Sequence, residues 1–571
     1  TPLKTPPNTI EDLSGQLTMQ PNTVPPEAAR ALANSLTPSW FAGQREMGFG
    51  EIDDDELFRD ATLGELRRLQ SYYAGLPKVR RVLANIPTYM TFDDHEVTDD
   101  WNLSGQWVKD VRGSATGRAV ERNALLAFGL CQAWGNDPRY FEPSSGTTPG
   151  AQMLQLASQL FLSNGQPRQM GADPATANEL ERIFNLRSQQ ETPSNERVRW
   201  HYRVGGLGYE VLSLDTRTFR GYPSLNSPPQ LMTATAIAEQ IPLEPIYSNG
   251  TPQPGQGITF VIAAAPVLGF TPVEYILQPV VNKLDSLELP PDGLFVKAEL
   301  DYFTGLYDHD PEPWSYQEET FEGLLARLAN YGRVVFFSGD VHYTCALSLD
   351  YWRYGANPTQ PTRTRFIQIT SSAFCNFPSE QQATLFQSGL VSRLAQALSP
   401  PRERMVWETS GRGAPLSPPS GKAFNRFVQL QNISNPALIP VAALPSGTQQ
   451  QYDPAWSWRL NLVRDERQET QRLAGIENVP PFVEPTQPNS FNPSSTDGVS
   501  KRHFWQARHA PSRLVMFFGN AGLVTIKPDL PKPSLVYSVI HKLRSLPTSE
   551  PKAYTLFELA LDVEGNPPRL P

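Results

Sequence analysis

Two short stretches of this chain set carboxylates beside an imidazole just where an apolar run ends. In FFSGDVHYT, residues 336–344, Asp340 and His342 follow the run RVVFF. In IPTYMTFDDHEVTDDWN, residues 86–102, Asp93, Asp94, His95 and Glu96 follow PTYMTF. Carboxylate oxygen and imidazole nitrogen are ligands of Mn, Fe, Zn and Ca-type cations. On an extended backbone, positions i and i+2 point to one side, so Asp340 and His342 share a face and two neighbouring ions could each take one of them. A pair of cations a few ångströms apart is a standard clamp for hydrolysing phosphate esters. Plainer readings exist for each corner. Asp93 or Asp94 could cap a helix that starts near Glu96, and His342 could be a satisfied core histidine. Together, at the ends of two strand-like runs, the two corners favour metal chemistry.

The elements that must position these residues are read from periodicity. RVRWHYRVGGLGYEVLSLDTRTFRG, 197–221, gives two strands around a glycine turn. No helix follows its glycines, so they form a hairpin turn and not a nucleotide loop. A helix near 229–240, the strand ITFVIAAAP, the helix ETFEGLLARLANYG (319–332), the strand RVVFFSGDVH and the strand RFIQITSSA (365–373) come next, with another helix near 379–398. Strands alternating with amphipathic helices predict an α/β layered core, and in such folds working residues gather at the carboxyl ends of strands. PTYMTF is expected to be a buried strand too. GSATGRAVERNALLAFGLCQAWG, 113–135, reads as one long helix closed by glycine. RLVMFFGNAGLVTIKP and KAYTLFELALDV alternate like an antiparallel edge layer.

The expected organisation is an N-terminal Pro-rich arm over 1–60, with a helix at 25–36, and a core over 61–400. A Pro/Ser/Asn-rich irregular excursion follows over 401–500, and C-terminal strands return to the core over 501–571. The acidic run EIDDDE, 51–56, is a solvated face or helix start before it is a cation site.

The composition, 39% hydrophobic and 19% charged, is that of a globular protein, though 55 prolines and 39 glycines imply much loop. A net charge of -9 without a basic stripe argues against a nucleic-acid groove. Three widely spaced cysteines imply no disulfide scaffold; Cys131 and Cys345 are expected to be buried free thiols. The longest apolar run, 258–270, is too short to span a bilayer and no signal peptide is visible, so a soluble protein of unassigned compartment is expected. Other hydrolytic schemes fit less well. HEVTD carries Asp99 where a helical zinc protease needs its second histidine, and no G-x-S-x-G elbow occurs. The carboxylates at 93, 94, 99 and 100 lack a matching acid across a cleft for a glycosidase.

FDDHEVTDDWN (92–102), LDTRTFRG (214–221), AAPVLG (264–269), DPEPW (310–314) and FSGDVHY (337–343), in that order, resemble the PhoD-like phosphatases, a branch of the calcineurin-like metallophosphoesterases. FFGNAGLV, 517–524, is a fainter echo. The resemblance implies a layered metallophosphoesterase-type β-sandwich flanked by helices, with long irregular excursions. It also implies two divalent or trivalent metal ions (Fe, Mn, Zn or Ca) and a phosphate-ester substrate. It further implies Asp94, Asp340 and His342 as metal ligands and His95 as the acid that protonates the leaving group, with Asp93 and Asp100 supporting them. An imidazole beside dications suits that task, because its unperturbed pKa lies near neutrality. Arg217 and Arg220 are expected either to grip phosphate oxygens or to sit in surface ion pairs, and His309 either to line the rim or, more simply, to be a solvated loop histidine. The family's upstream Gly-Asp motif has no counterpart before residue 85. The sandwich is therefore expected here without its first strand or strands: either they belong to a portion beyond this sequence or the polypeptide has lost half its metal cage, and an N-terminal portion of the same protein or an assembly partner is the expected partner. The leading expectation is a metal-dependent phosphomonoesterase or phosphodiesterase. Its competitors are a catalytically impaired scaffold on a phosphatase fold and a Ca-binding surface protein without catalysis.

Overall fold

The structure is a computed structural model. It describes residues 76–98, 101–142, 148–163, 166–167, 173–187, 195–225, 227–246, 257–269, 314, 317–341, 343–354, 361–372, 402–408, 426–431, 437–440, 456–463, 515–516, 520–528, 532–541 and 552–568. The chain divides into two compact units, Thr1–Tyr89 and Met90–Pro571. The first is described over 76–89, with a helix over 76–83. The expected helices at 25–36 and 379–398, the run EIDDDE, Cys375 and most of DPEPW lie outside the described residues.

The second unit opens with helices. Helix α1 (Gly105–Gly113) is capped by Ser104, whose hydroxyl accepts from the Trp107 amide. Helix α2 (Ala115–Phe128) is capped in the same way by Ser114, which accepts from Gly117. The long helix expected over 113–135 starts just after this cap, at Ala115, and beyond Phe128 it widens into a π-turn over Gly129–Ala133 before ending at Asn136. Gly129 fits there because a Cβ would stand 2.6 Å from Met153 Cε. The inserted residue of a π-turn rotates the next helical turn by about 100°. Gly129 and Ala133 face the core while Cys131 faces out, so the expectation of a buried Cys131 is corrected; Cys345 is buried. Helices α3 (Pro149–Phe161) and α4 (Pro174–Ile183) complete this helical part, beside the short hairpin of β1 (Leu162–Ser163) and β2 (Gln166–Pro167). Its aromatic centre is Phe92, 2% exposed, set edge-on to Trp101 and Phe128 and stacked on Trp200. Burying such a ring contributes roughly 2–3 kcal/mol and anchors the chain one residue before Asp93.

The main sheet has eleven strands among the described residues. Strands β3 (Tyr202–Gly206) and β4 (Tyr209–Ser213) form the predicted hairpin, turned at Gly208 with φ +72°. Strand β5 (Ile258–Ile262) lies parallel to β4, and β6 (Arg333–Ser338) lies parallel to β5. The antiparallel pair β7 (Thr344–Arg353) and β8 (Thr362–Thr370) continues the sheet, β8 lying parallel to β6. The region expected to be an irregular excursion supplies β9 (Arg402–Glu408), β10 (Arg426–Gln431), β11 (Ala437–Pro440) and β12 (Trp456–Leu462). Strand β12 sits between β7 and β9, so this region builds the sheet and does not merely cover it. The alternation in WSWRLNL was the available signal. Strand β13 (Val515–Met516) pairs with β7. A separate antiparallel sheet joins β14 (Asn520–Lys527), β15 (Ser534–His541) and β16 (Lys552–Ala560), as the alternation near the C-terminus predicted.

Helix α5 (Ala234–Gln240) and helix α6 (Glu318–Leu328) cover one face of the main sheet, and the three-stranded sheet covers the other. Strand β6 shows why: Val334 and Phe336 enter the helix-side core, while Val335 enters the sheet-side core with Leu535, Tyr537 and Phe557. The layers are therefore helix, large mixed sheet and small sheet. Helix α6 is fastened by Glu322, fully buried, whose carboxylate accepts from Arg404 at 2.8 Å, Trp456 Nε1 at 2.9 Å and Trp458 Nε1 at 3.0 Å. Among the described residues no helix is long and apolar enough to cross a membrane.

Candidate metal centre

Strands β4, β5 and β6 are parallel and in register, so Ser213, Ile262 and Ser338 end at one edge of the sheet. Three loops leave this edge. The chain after β4 keeps pairing through Leu214 N–H to the Ile262 carbonyl, 2.8 Å, and then meets the side-chain amide of Gln240. The Asp215 amide donates to Gln240 Oε1 and Gln240 Nε2 donates to the Asp215 carbonyl, so an amide on helix α5 stands in for a strand. Asp215 accepts from the amides of Arg217 and Thr218 and from the Thr218 hydroxyl, which winds the LDTRTFRG turn. Burial pushes the Asp215 carboxyl up, against the pull of those bonds from Thr218.

After β6, the Gly339 amide donates to the Ala264 carbonyl and the Val341 amide donates to the Gly339 carbonyl. That second bond closes a γ-turn with Asp340 at its centre, at φ +71°. A non-glycine residue in this left-handed region costs on the order of 1–3 kcal/mol and persists only when its surroundings hold it. Gln368, fully buried on β8, supports the same edge. Its Oε1 accepts from the amides of Val267 and Leu268, at 3.1 and 3.3 Å, and its Nε2 donates to the Ser338 hydroxyl. Asn520 secures the neighbouring corner by donating to Thr344 Oγ1 and the Ser372 carbonyl and accepting from Ser371.

PTYMTF is extended but forms no strand. Its backbone bonds go to side chains: the Met90 amide donates to Asn136 Oδ1, and the Met90 carbonyl accepts from Asn136 Nδ2 and from the Tyr202 hydroxyl. Thr91 meets Ser213 through their hydroxyls at 3.0 Å, which places this corner beside the end of β4. A one-turn 3-10 helix, Asp94–Glu96, then begins, with Asp93 as its N-cap and the Asp93 amide donating to Glu96 Oε2. The plainer reading of Asp93 is thus correct, and Asp93 still takes part in the site.

The two corners meet. Asp94, His95 and Asp340 each offer a ligand atom, and these atoms all lie within 4.8 Å of one another. Asp94 is buried, Asp340 half-buried and His95 exposed. Twice a metal–oxygen distance of about 2.4 Å is about 4.8 Å, so the donor set fits around one cation. Arg217, fully buried, lies among the carboxylates. Its Nε donates to Asp93 at 2.8 Å, and its Nη2 reaches Asp93 at 2.5 Å, Asp340 at 2.8 Å and Asp94 at 3.5 Å. Burial works against the Asp93 charge, yet the Arg217 guanidinium outweighs it and holds that carboxyl below the usual aspartate range. Burial, reinforced by the Asp93 and Asp94 charges, pushes Glu96 up.

Arg217 was expected to grip phosphate or to sit in a surface ion pair; the structure buries it among aspartates. Arg220 donates its Nε to the Thr216 carbonyl and its Nη1 to the carbonyls of Trp101 and Asn102. Asn102, at φ +63°, is a junction that sequence reasoning passed over within FDDHEVTDDWN. Its Nδ2 donates to the Arg217 carbonyl, its Oδ1 accepts from Arg112, and its carbonyl accepts from Tyr222 as well as Arg220. His342, His309 and Asp100 lie outside the described residues.

Two surface clefts, of about 510 Å³ between α5 and α6 and about 380 Å³ near Arg333 and Thr362, include no residue of the carboxylate cluster. No family model matches this chain, and no curated protein or solved structure does either.

Proposed function

We propose that the chain is a metal-dependent phosphoesterase, with Asp94 and Asp340 as cation ligands and His95 as the proton donor to the leaving group. The observation that supports this reading is the meeting of Asp94, His95 and Asp340 within 4.8 Å at the carboxyl edge of parallel strands. Oxygen and imidazole donors suit a hard or borderline divalent cation. When bound, such a cation supplies polarisation of a phosphoryl oxygen and acidification of a coordinated water. The chain's own residues supply the rest. Asp94 and Asp340 fix the cation's position from two rigid corners. His95, exposed on its 3-10 turn, can reach both solvent and a bound ester oxygen, and it protonates that oxygen as the ester bond breaks.

The test is His95→Ala, assayed for hydrolysis of a generic aryl phosphate and for bound metal. The expected result is a fall in kcat on the order of a hundredfold or more at unchanged metal content. Unchanged turnover would remove His95 from its role, and loss of metal would make it a ligand instead. Absence of hydrolysis by metal-loaded wild type would favour the scaffold reading.

A further inference from the structure

Charge balance in the cluster has a consequence for how many cations it takes. Asp93, Asp94 and Asp340 carry three negative charges when ionised, and one guanidinium, that of Arg217, lies within 3.5 Å of all three. The side chain of Arg217 has no exposure, so its charge is neither hydrated nor screened by salt, and the carboxylates are its counter-ions. Its backbone is fixed as firmly as its side chain. The Arg217 amide donates to Asp215 Oδ1, and its carbonyl accepts from Asn102 Nδ2. Asp340, in its left-handed γ-turn, presents Oδ2 to the same Nη2. The guanidinium is therefore built into the cluster from both sides.

We propose that Arg217 is the second positive charge of this centre, so that it takes one divalent cation together with an arginine and not a pair of cations. Among the described residues, the three carboxylates on Arg217 and its one guanidinium leave a net charge of about minus two, which one divalent ion neutralises and two would overshoot. The guanidinium spans Asp93 and Asp340, and carboxylate oxygens of Asp94 and Asp340 remain clustered beside it for a single ion, with a His95 nitrogen within 4.8 Å of them. The aspartates are also held without metal, because Arg217 offsets their mutual repulsion. This inference rests on the metal-site reading above and specifies its stoichiometry and the role of Arg217 as a positioning residue.

The experiment uses the full chain, stripped of metal and titrated with Mn²⁺ by calorimetry, with thermal unfolding recorded before and after loading. Wild type is expected to bind one equivalent and to be folded without metal. Arg217→Met is expected to melt lower when metal-free, to recover on loading, and to bind Mn²⁺ on the order of tenfold more tightly or take a second equivalent. Arg217→Lys, which keeps the charge, is expected to retain the wild-type stoichiometry. Two equivalents on wild type together with phosphate-ester hydrolysis overturn this inference and leave the phosphoesterase reading standing. No bound Mn²⁺ overturns both. An Arg217→Met protein matching wild type in metal-free melting and in Mn²⁺ affinity overturns the inference alone. If that variant fails to fold, the wild-type stoichiometry still decides.

Discussion

Replacing Gln368 by methionine tests how the site is held, because the change keeps the side-chain volume and removes only polar bonds. Gln368 is fully buried, and its Oε1 is the acceptor for two buried amides, Val267 and Leu268, while its Nε2 reaches the Ser338 hydroxyl. A buried donor left without an acceptor costs about 1–3 kcal/mol. Two such amides, allowing for partial relaxation, give a loss of about 2–4 kcal/mol. Gln368→Glu keeps the Oε1 acceptor for both amides and replaces the Nε2 donor by a second oxygen, to which the Ser338 hydroxyl can turn as donor, so it is expected to lose less despite its charge. Urea unfolding of the two variants against wild type measures this, and Mn²⁺ affinity reports on the corner. Ser338 directly precedes Gly339 and Asp340, so the methionine variant is also expected to bind Mn²⁺ more weakly. A methionine variant within about 0.5 kcal/mol of wild type, below the cost of even one orphaned amide, would refute the reasoning.

Glu322→Ala leaves the Arg404 guanidinium and two indole N–H groups buried without their carboxylate, and it is expected to cost about 3–5 kcal/mol in denaturant unfolding. Adding Arg404→Met should recover part of that loss; equal instability of the single and double variants would contradict a charge-driven cost. His201 is half-buried, its Nδ1 has no hydrogen-bond partner among the described residues, and burial with the nearby Arg199 and Arg197 charges depresses its pKa to about 3. The unfolded chain takes up a proton on this imidazole near pH 6.5 and the folded chain does not, so stability falls as pH drops through that value. Between pH 7 and pH 5 the group accounts for about 2 kcal/mol of lost stability. His201→Asn is expected to flatten the urea-measured stability profile by that amount, and an unchanged profile would disprove the assignment.

The elements nearest the site were legible in the sequence. RVVFF, ITFVI and RFIQIT are runs of β-formers bounded by turn residues, and each forms a strand of the parallel region. Such strands are buried on both faces and read as continuous apolar segments. PTYMTF has the same composition but no strand, because Asn136 and Tyr202, distant in sequence, take its backbone bonds. Local pattern carries no signal for that. Arg217 was singled out for its position, yet its surroundings were not legible. Pairing with Asp93 and Asp340 bridges 124 and 123 positions in the chain, and only the sheet order brings those loops together. Gln368 and Asn102 escaped notice because a single amide within an apolar or mixed segment looks like any other polar residue until its partners are placed. The 401–500 region was misread for a compositional reason. Its Pro- and Ser-rich segments obscured short alternating strands, among them β12, which runs beside the longest strand of the core.

The reading of this chain as a metal centre depends most directly on where a cation binds. Crystals soaked in Mn²⁺ and measured at a wavelength with strong anomalous scattering from manganese would locate it. The expected result is one peak within about 2.6 Å of carboxylate oxygens of both Asp94 and Asp340, absent from the Asp94→Asn/Asp340→Asn double variant. A protein free of bound manganese at that corner, or one whose ion lies elsewhere, would contradict the account.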